Sequence, residues 1–489
     1  MKSSKALFTL GLALACAAIT FSLAVRAQAQ TFTSLYSFCT ETGCPDGAGP
    51  FGTMVQGTDG DIYGITQSGG SSGSGTFFKF TTAGALTTLY NFCPSSPCTD
   101  GATPFGGLVL ATDGDFYGVT YEGGNVYGYG TVFKITAAGK LTLLHTFEGT
   151  DGEGPQAALV QANNGNFYGT TFRGGAYGEG TVFEITSSGT FRTLHSFCAS
   201  SGCPDGSGPN GLTLAANGNL YGTTYTGGES SCKTSETNGT FFELTPTGTL
   251  TTLAVFCAPT GYLPASAVVQ AADGNFYGTT LAGGDGSKVV YGTVYEMTSS
   301  GSITSLHSFC LETGCTDGKT PTALTLGTDG NFYGITTGGG ANSGKGTIFE
   351  ITPAGALTTL YTFNSTNGNY TDGSSPAGPM LLDTNGTFYG LTQLGGKTAS
   401  GTIFSLSTGL GPFVKTIPAS GAAGKSVTIL GTNLTGATTV SFDGIAATFK
   451  VVSATEITTT VPSGTSSGTV MVTTSSGTKL SSNVAFQVP

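Results

Sequence analysis

Residues 104–147 read PFGGLVLATDGDFYGVTYEGGNVYGYGTVFKITAAGKLTLLHTF. Residues 107–112 alternate toward an Asp113-Gly114 turn, and a second β-prone run follows over residues 116–121. Asp-Gly between two such runs is a strong hairpin signal. A third run, residues 131–136, reaches the Ala138-Gly139 turn, and a fourth covers residues 141–147. Four short antiparallel strands make one blade of a β-propeller.

The same phrase recurs along the chain, opening at Pro50, Pro104, Pro155, Pro209, Pro264, Pro321 and Pro376, with spacings of 54, 51, 54, 55, 57 and 55 residues. The phrase runs Asp/Asn-Gly, an aromatic-Tyr-Gly (Ile62 or Leu220 before the tyrosine in copies one and four), a Thr, Gly-Gly, a variable insert and Gly-Thr, and the first six copies add a closing strand such as Leu-Thr-x-Leu-x-x-Phe. Helical or parallel-rung solenoids of this period have other patterns. The seventh copy stops after its third strand, at residues 401–407. Its missing fourth strand stands at the other end, where residues 32–38 read FTSLYSF against LTTLYNF at 86–92 and LTTLYTF at 357–363. The expectation is an all-β, seven-bladed propeller closed by its N-terminal strand, which removes the open edges. Up-down topology then gathers the variable second connections and the blade-to-blade loops on one face, the better candidate for function.

With 80 Gly in 489 residues and only 9% charged residues, the composition fits an all-β chain with many tight turns. Lys2 and Lys5, an apolar run over residues 6–25 and Ala27-Gln28-Ala29 predict a signal peptide over residues 1–29. Cys16 within the run leaves lipidation as the alternative to cleavage. No later stretch is long and apolar enough to span a bilayer, so the protein is expected to be extracellular or at the cell surface. Losing a leader with three bases and no acid takes the formal charge from −11 to −14. Such an acidic chain is a poor partner for nucleic acid. The ten cysteines beyond the leader predict disulfides in an exported protein. Cys39/Cys44, Cys93/Cys98, Cys198/Cys203 and Cys310/Cys315 form near pairs, and Cys232 and Cys257 are expected to pair with each other. A zinc site is the competing reading, but it wants histidine partners and shorter gaps.

Phrases such as DGNFYGTT at residues 273–280 make the repeat resemble the GloVer tandem repeat of bacterial surface and secreted proteins, over about residues 31–408. The resemblance implies an exported bacterial protein and brings no established activity. From residue 411 the vocabulary changes to VTILGTNL (427–434), VSFDG (440–444) and VMVTT (470–474). That tail resembles an IPT/TIG domain, which implies an immunoglobulin-like sandwich over residues 411–489 after a propeller over 30–410.

Candidate chemistry is sparse. His145, His195 and His307 take one fourth-strand position in three blades, too far apart to form one site. A sialidase needs clustered arginines, and only Arg173 and Arg192 follow the leader. A glycosidase pair drawn from Glu122, Glu153, Glu179 and Asp285 stays open, so a carbohydrate-active enzyme is the alternative reading. Six Asp-Gly loops, at Asp46, Asp100, Asp151, Asp205, Asp317 and Asp372, read as turns whose carboxylates cap backbone N–H groups, with calcium as the competitor. No cofactor or metal is expected. The repeated Tyr63, Tyr117, Tyr168, Tyr221, Tyr277, Tyr333 and Tyr389 read as core. The non-repeated Tyr121, Tyr127, Tyr129, Phe172, Arg173, Tyr177 and Glu179 are the candidate binding residues, for a polysaccharide or another surface protein.

Overall fold

The computed structural model describes residues 30–228, 238–284, 291–341, 344–364 and 370–488. The expected leader, with Cys16, lies outside them, as do Cys232 and Asp285. The described residues hold no α-helix and form four- and five-stranded antiparallel sheets. No helix among them is long and apolar enough to cross a membrane.

Seven propeller-like sheets follow the seven copies of the repeat, and are numbered here in chain order. Sheet two shows the plan: Ala102–Leu110, Phe116–Glu122, Thr131–Ile135 and Leu141–Thr146, each paired with the next. Its second and third strands are buried on both sides while its fourth is half exposed, so burial declines toward the edge. First strands are short or carry register shifts, as between Phe105 and Val109. Small residues after each proline, glycine in sheets one, two, four and seven and alanine in the others, let these strands approach one another closely: Thr53 bridges Gly107, and a side chain on Gly378 would strike Gly52. First strands therefore form the inner ring. The N-terminal strand Thr31–Ser37 pairs antiparallel with Thr402–Ser407 in sheet seven, as expected. It also brings in Phe38, which is completely buried.

Two seams join each sheet to the next. In the first, the repeated tyrosines are buried against the following sheet, as expected for core residues. Tyr63 packs on Phe116, Tyr221 on Phe276 and Tyr277 on Phe332, with ring centroids 4.2–4.4 Å apart. Such pairs add about 0.5–1.5 kcal/mol beyond the area they bury.

The second seam explains why proline and Gly-Thr recur. In every sheet the residue before the repeated proline has positive φ, and in sheets two, five, six and seven it is Thr103, Leu263, Thr320 or Ser375 rather than glycine. This backbone costs a non-glycine residue about 1–2 kcal/mol. It turns that residue's N–H onto the carbonyl just before the Gly-Thr of the preceding sheet, as in Thr103 to Ser74 and Gly208 to Glu179, both at 2.9 Å. The series runs through all seven sheets and returns to its start, because Gly49 of sheet one donates to Ser400 of sheet seven at 2.9 Å. The proline ring then rests on the glycine. A methyl group at Gly180 would lie 2.5 Å from Pro209 Cδ, and one at Gly401 would lie 2.5 Å from Pro50 Cδ.

The tail folds into two further four-stranded sheets that enclose Val427, Ile429, Val440, Phe442, Val470 and Phe486. It rests on the first turns of the ring. Thr455 Oγ1 donates to the Thr58 carbonyl at 2.7 Å, the Phe413 N–H donates to Thr384 at 3.0 Å, and Lys415 donates to the Leu382 carbonyl. Desolvation draws the Lys415 ammonium down to about 8, against the pull of the Asp383 carboxylate.

Candidate functional site

The second connections and blade-to-blade loops meet at one end of the ring. In each sheet the N–H of the second Gly of Gly-Gly, from Gly70 to Gly396, donates to a blade-to-blade carbonyl such as Cys44, Cys98 or Tyr370, at 2.7–2.8 Å. Beneath this layer the repeated threonines pair in all seven sheets, from Thr66 with Thr76 to Thr392 with Thr402, at 2.8–2.9 Å. Both members are buried, so each hydroxyl satisfies the other where water cannot reach.

Each Asp-Gly loop is organised by its aspartate. Asp46 accepts from Tyr36 at 2.8 Å and from the Cys39 N–H at 3.0 Å, and Asp205 accepts from His195 at 2.8 Å and the Cys198 N–H at 3.0 Å. Asp151 takes His145 and the Glu148 N–H in the same way, both at 2.8 Å. Burial raises the Asp151 and Asp205 carboxyls, but the hydrogen bonds from histidine and backbone outweigh it and hold both below the ordinary range. These are caps, and each histidine belongs to a separate loop. Among the described residues no group of three or more His, Cys, Asp or Glu could hold a metal ion.

Four disulfides staple these loops, Cys39–Cys44, Cys93–Cys98, Cys198–Cys203 and Cys310–Cys315, with Cα atoms 4.1–4.4 Å apart. Such bridges suit an oxidising compartment. Cys257 is also disulfide-bonded, while the partner expected for it, Cys232, lies outside the described residues.

On this scaffold the seven candidate residues divide into two groups. Tyr127, Arg173, Tyr177 and Glu179 are exposed, Tyr127 at 73% and Tyr177 at 53%. Arg173 pairs with no carboxylate among the described residues, whereas Glu179 accepts from the Ser207 hydroxyl. Tyr121, Tyr129 and Phe172 are half-buried. Tyr129 packs on the core between sheets two and three, with Tyr127 stacked on it at 5.6 Å and 16°.

Tyr121 and Phe172 instead join an arc at the inner rim of the loop face. Phe51 lies 4.5 Å from Phe105, Phe105 lies 5.9 Å from Tyr121, and Phe172 lies 5.9 Å from Tyr225. Phe51, Phe105 and Tyr225 were not foreseen from the sequence. Their signal was the position just after the repeated proline or threonine, where copies one to four carry rings and the later copies carry Ala265, Thr322 or Gln393. Of the candidate acids, Glu122 accepts from Thr103 Oγ1 at 3.3 Å, and the Glu153 backbone bridges that of Arg173.

The Gloeobacter/Verrucomicrobia repeat matches three overlapping stretches, residues 18–235, 111–324 and 229–451, and the chain belongs to that family. No curated protein matches it. Among solved structures it is similar to the extracellular domain assigned to a hybrid two component system of B. thetaiotaomicron, at 11% identity and a TM-score of 0.49, covering 89% of this chain and 52% of that one. It is similar to puromycin hydrolase at 12% identity and a TM-score of 0.44, covering 89% and 58%. A gluconolactonase from Xanthomonas campestris shares 11% identity at a TM-score of 0.39, covering 77% and 89%. None of these likenesses bears on the chemistry of this chain.

Proposed function

We propose that the chain is an exported, non-catalytic binding protein: a seven-bladed β-propeller over residues 30–410 with an immunoglobulin-like IPT/TIG tail over residues 411–489. A leader over residues 1–29 carries it out of the cell. Its loop face engages a polysaccharide or another surface protein.

One observation carries this reading. The residues that repeat in every copy on the loop face are already engaged in holding loops and sheets together, whereas Tyr127 and Tyr177, which share a position in copies two and three, and Arg173 point into solvent. Aromatic faces beside an unpaired arginine suit a sugar ring or an acidic group. Of the acids that a glycosidase would draw on, Glu122 is engaged by Thr103 and Glu179 by Ser207.

A glycan array probed with the purified protein tests the proposal. Binding to a defined subset of glycans, lost on Tyr127→Ala with Tyr177→Ala, is the expected result. Hydrolysis of a bound glycan, or an array profile that the double substitution leaves unchanged, would overturn it.

A further inference from the structure

The opposite end of the ring holds a second feature, which stands apart from the loop-face reading. Between the tail and the first turns of sheets two and three lies a cleft of about 890 Å³. That is within the range of small-molecule sites, about 300–1,000 Å³.

One wall is a polar sheet face of the tail. Ser426 stands opposite Thr460, and Thr428 opposite Thr458, which also faces Lys450 on its other side. Side chains in register across neighbouring strands share a face, so hydroxyls and an ammonium line up in adjacent rows. Lys425 adds a second ammonium at the rim. The other wall offers the amides of Asn163 and Asn164, and Asn163 accepts from Ser420 across the gap through its oxygen. Among the described residues the hydroxyls of Ser426, Thr428, Thr458 and Thr460 meet no side-chain partner, and neither lysine meets a carboxylate.

Charge sets this place apart. The tail carries four lysines against two acids, whereas residues 30–410 carry ten bases against 26 acids. The cleft lining contains two of those lysines and no carboxylate. Its one aromatic ring is the half-buried Phe449. The lining is rich in hydroxyls and amides and carries isolated cations. It has no arginine fork for a phosphate and no deep apolar pocket for a peptide side chain.

We propose that this cleft binds a short stretch of acidic polysaccharide. Uronate carboxylates meet Lys425 and Lys450, and sugar hydroxyls exchange hydrogen bonds with the Ser/Thr rows and the two asparagines. Both lysines are exposed, so the attraction is modest and weakens with salt.

Calorimetric titration of the purified protein with a short oligogalacturonate, against a neutral malto-oligosaccharide of equal length, tests the assignment. The uronate is expected to bind at low salt and the neutral sugar about tenfold more weakly or not at all. Lys425→Gln with Lys450→Gln should weaken uronate binding about tenfold with an unchanged melting temperature. Tyr127→Ala with Tyr177→Ala should leave it intact. The cleft is overturned by a uronate that does not bind, by binding indifferent to the lysine pair, or by equal binding of poly-glutamate, which would make it a peptide site. Loss of uronate binding in the tyrosine variant alone would overturn the cleft while supporting the loop face.

Discussion

In the first hairpin of sheet two, Lys134 reaches Asp113 at 2.8 Å and Asp115 at 2.7 Å, while Tyr117 donates to Asp113. At the same place in sheet four, Glu243 accepts from Asn219 and Tyr221, both at 2.7 Å. Sheet one follows the first pattern with Lys79, Asp59 and Asp61, and sheets three, five and six follow the second with Glu184, Glu296 and Glu350. The sign of the charge is reversed, yet the tyrosine and the hairpin keep their partners. On the loop face Tyr127 and Tyr177 share one position, three residues before the Gly-Thr of sheets two and three, where sheets one and seven carry Ser72 and Thr398, and Arg173 stands where sheet two carries Glu122. Residues that repeat, even with charges swapped, hold the ring together. Residues that vary without compensation are free to recognise something else.

The largest effect should come from breaking the ring. Deleting residues 30–38 leaves Thr402–Ser407 as an open edge and removes Phe38, whose loss alone is worth about 3–5 kcal/mol. Soluble yield is expected to collapse, and a variant that melts with the wild type would refute closure. Gly180→Ala comes next. The new methyl meets Pro209 at 2.5 Å with backbone φ at +98°, so about 2–4 kcal/mol should be lost, read as a lower urea midpoint.

The hairpin comparison itself can be sharpened. Lys134→Glu places three carboxylates together and should cost about 1 kcal/mol. Adding Asp115→Asn converts sheet two toward the pattern of sheet four and should return most of it, a coupling that a double-mutant cycle reads directly.

Acid should weaken the loop caps. Asp151 and Asp205 titrate below their unfolded values, as do Asp59 and Asp113 at the hairpins. Their contribution is therefore complete above the ordinary carboxylate range, about pH 4, and is lost as pH falls from there through the folded values. Urea midpoints should drop across that window, and Asp151→Asn should flatten the drop.

Much of this architecture was legible in the sequence, because Asp-Gly, Gly-Gly and Gly-Thr fix turns through local chemistry at a constant spacing. The closing strand was legible too, since residues 32–38 fit only the strand that copy seven lacks. The seam between Pro209 and Gly180 was not, because both letters looked like turn punctuation until neighbouring sheets brought them together. The half-burial of Tyr129 was hidden for a related reason: its loop position gave no sign of the core beneath it. The cleft against the tail was out of reach, since no repeat relates residues 163 and 164 to residues 425–460.

The claim that loop-face residues varying between copies serve recognition rather than stability is tested most directly by Tyr127→Ala with Tyr177→Ala, melted beside the wild type and probed on the same glycan array. Both rings are largely exposed, so substitutions there should shift stability by no more than about 0.5 kcal/mol each. The account predicts a melting temperature close to wild type together with lost binding. A variant that melts well below the wild type, or that binds as before, would contradict it.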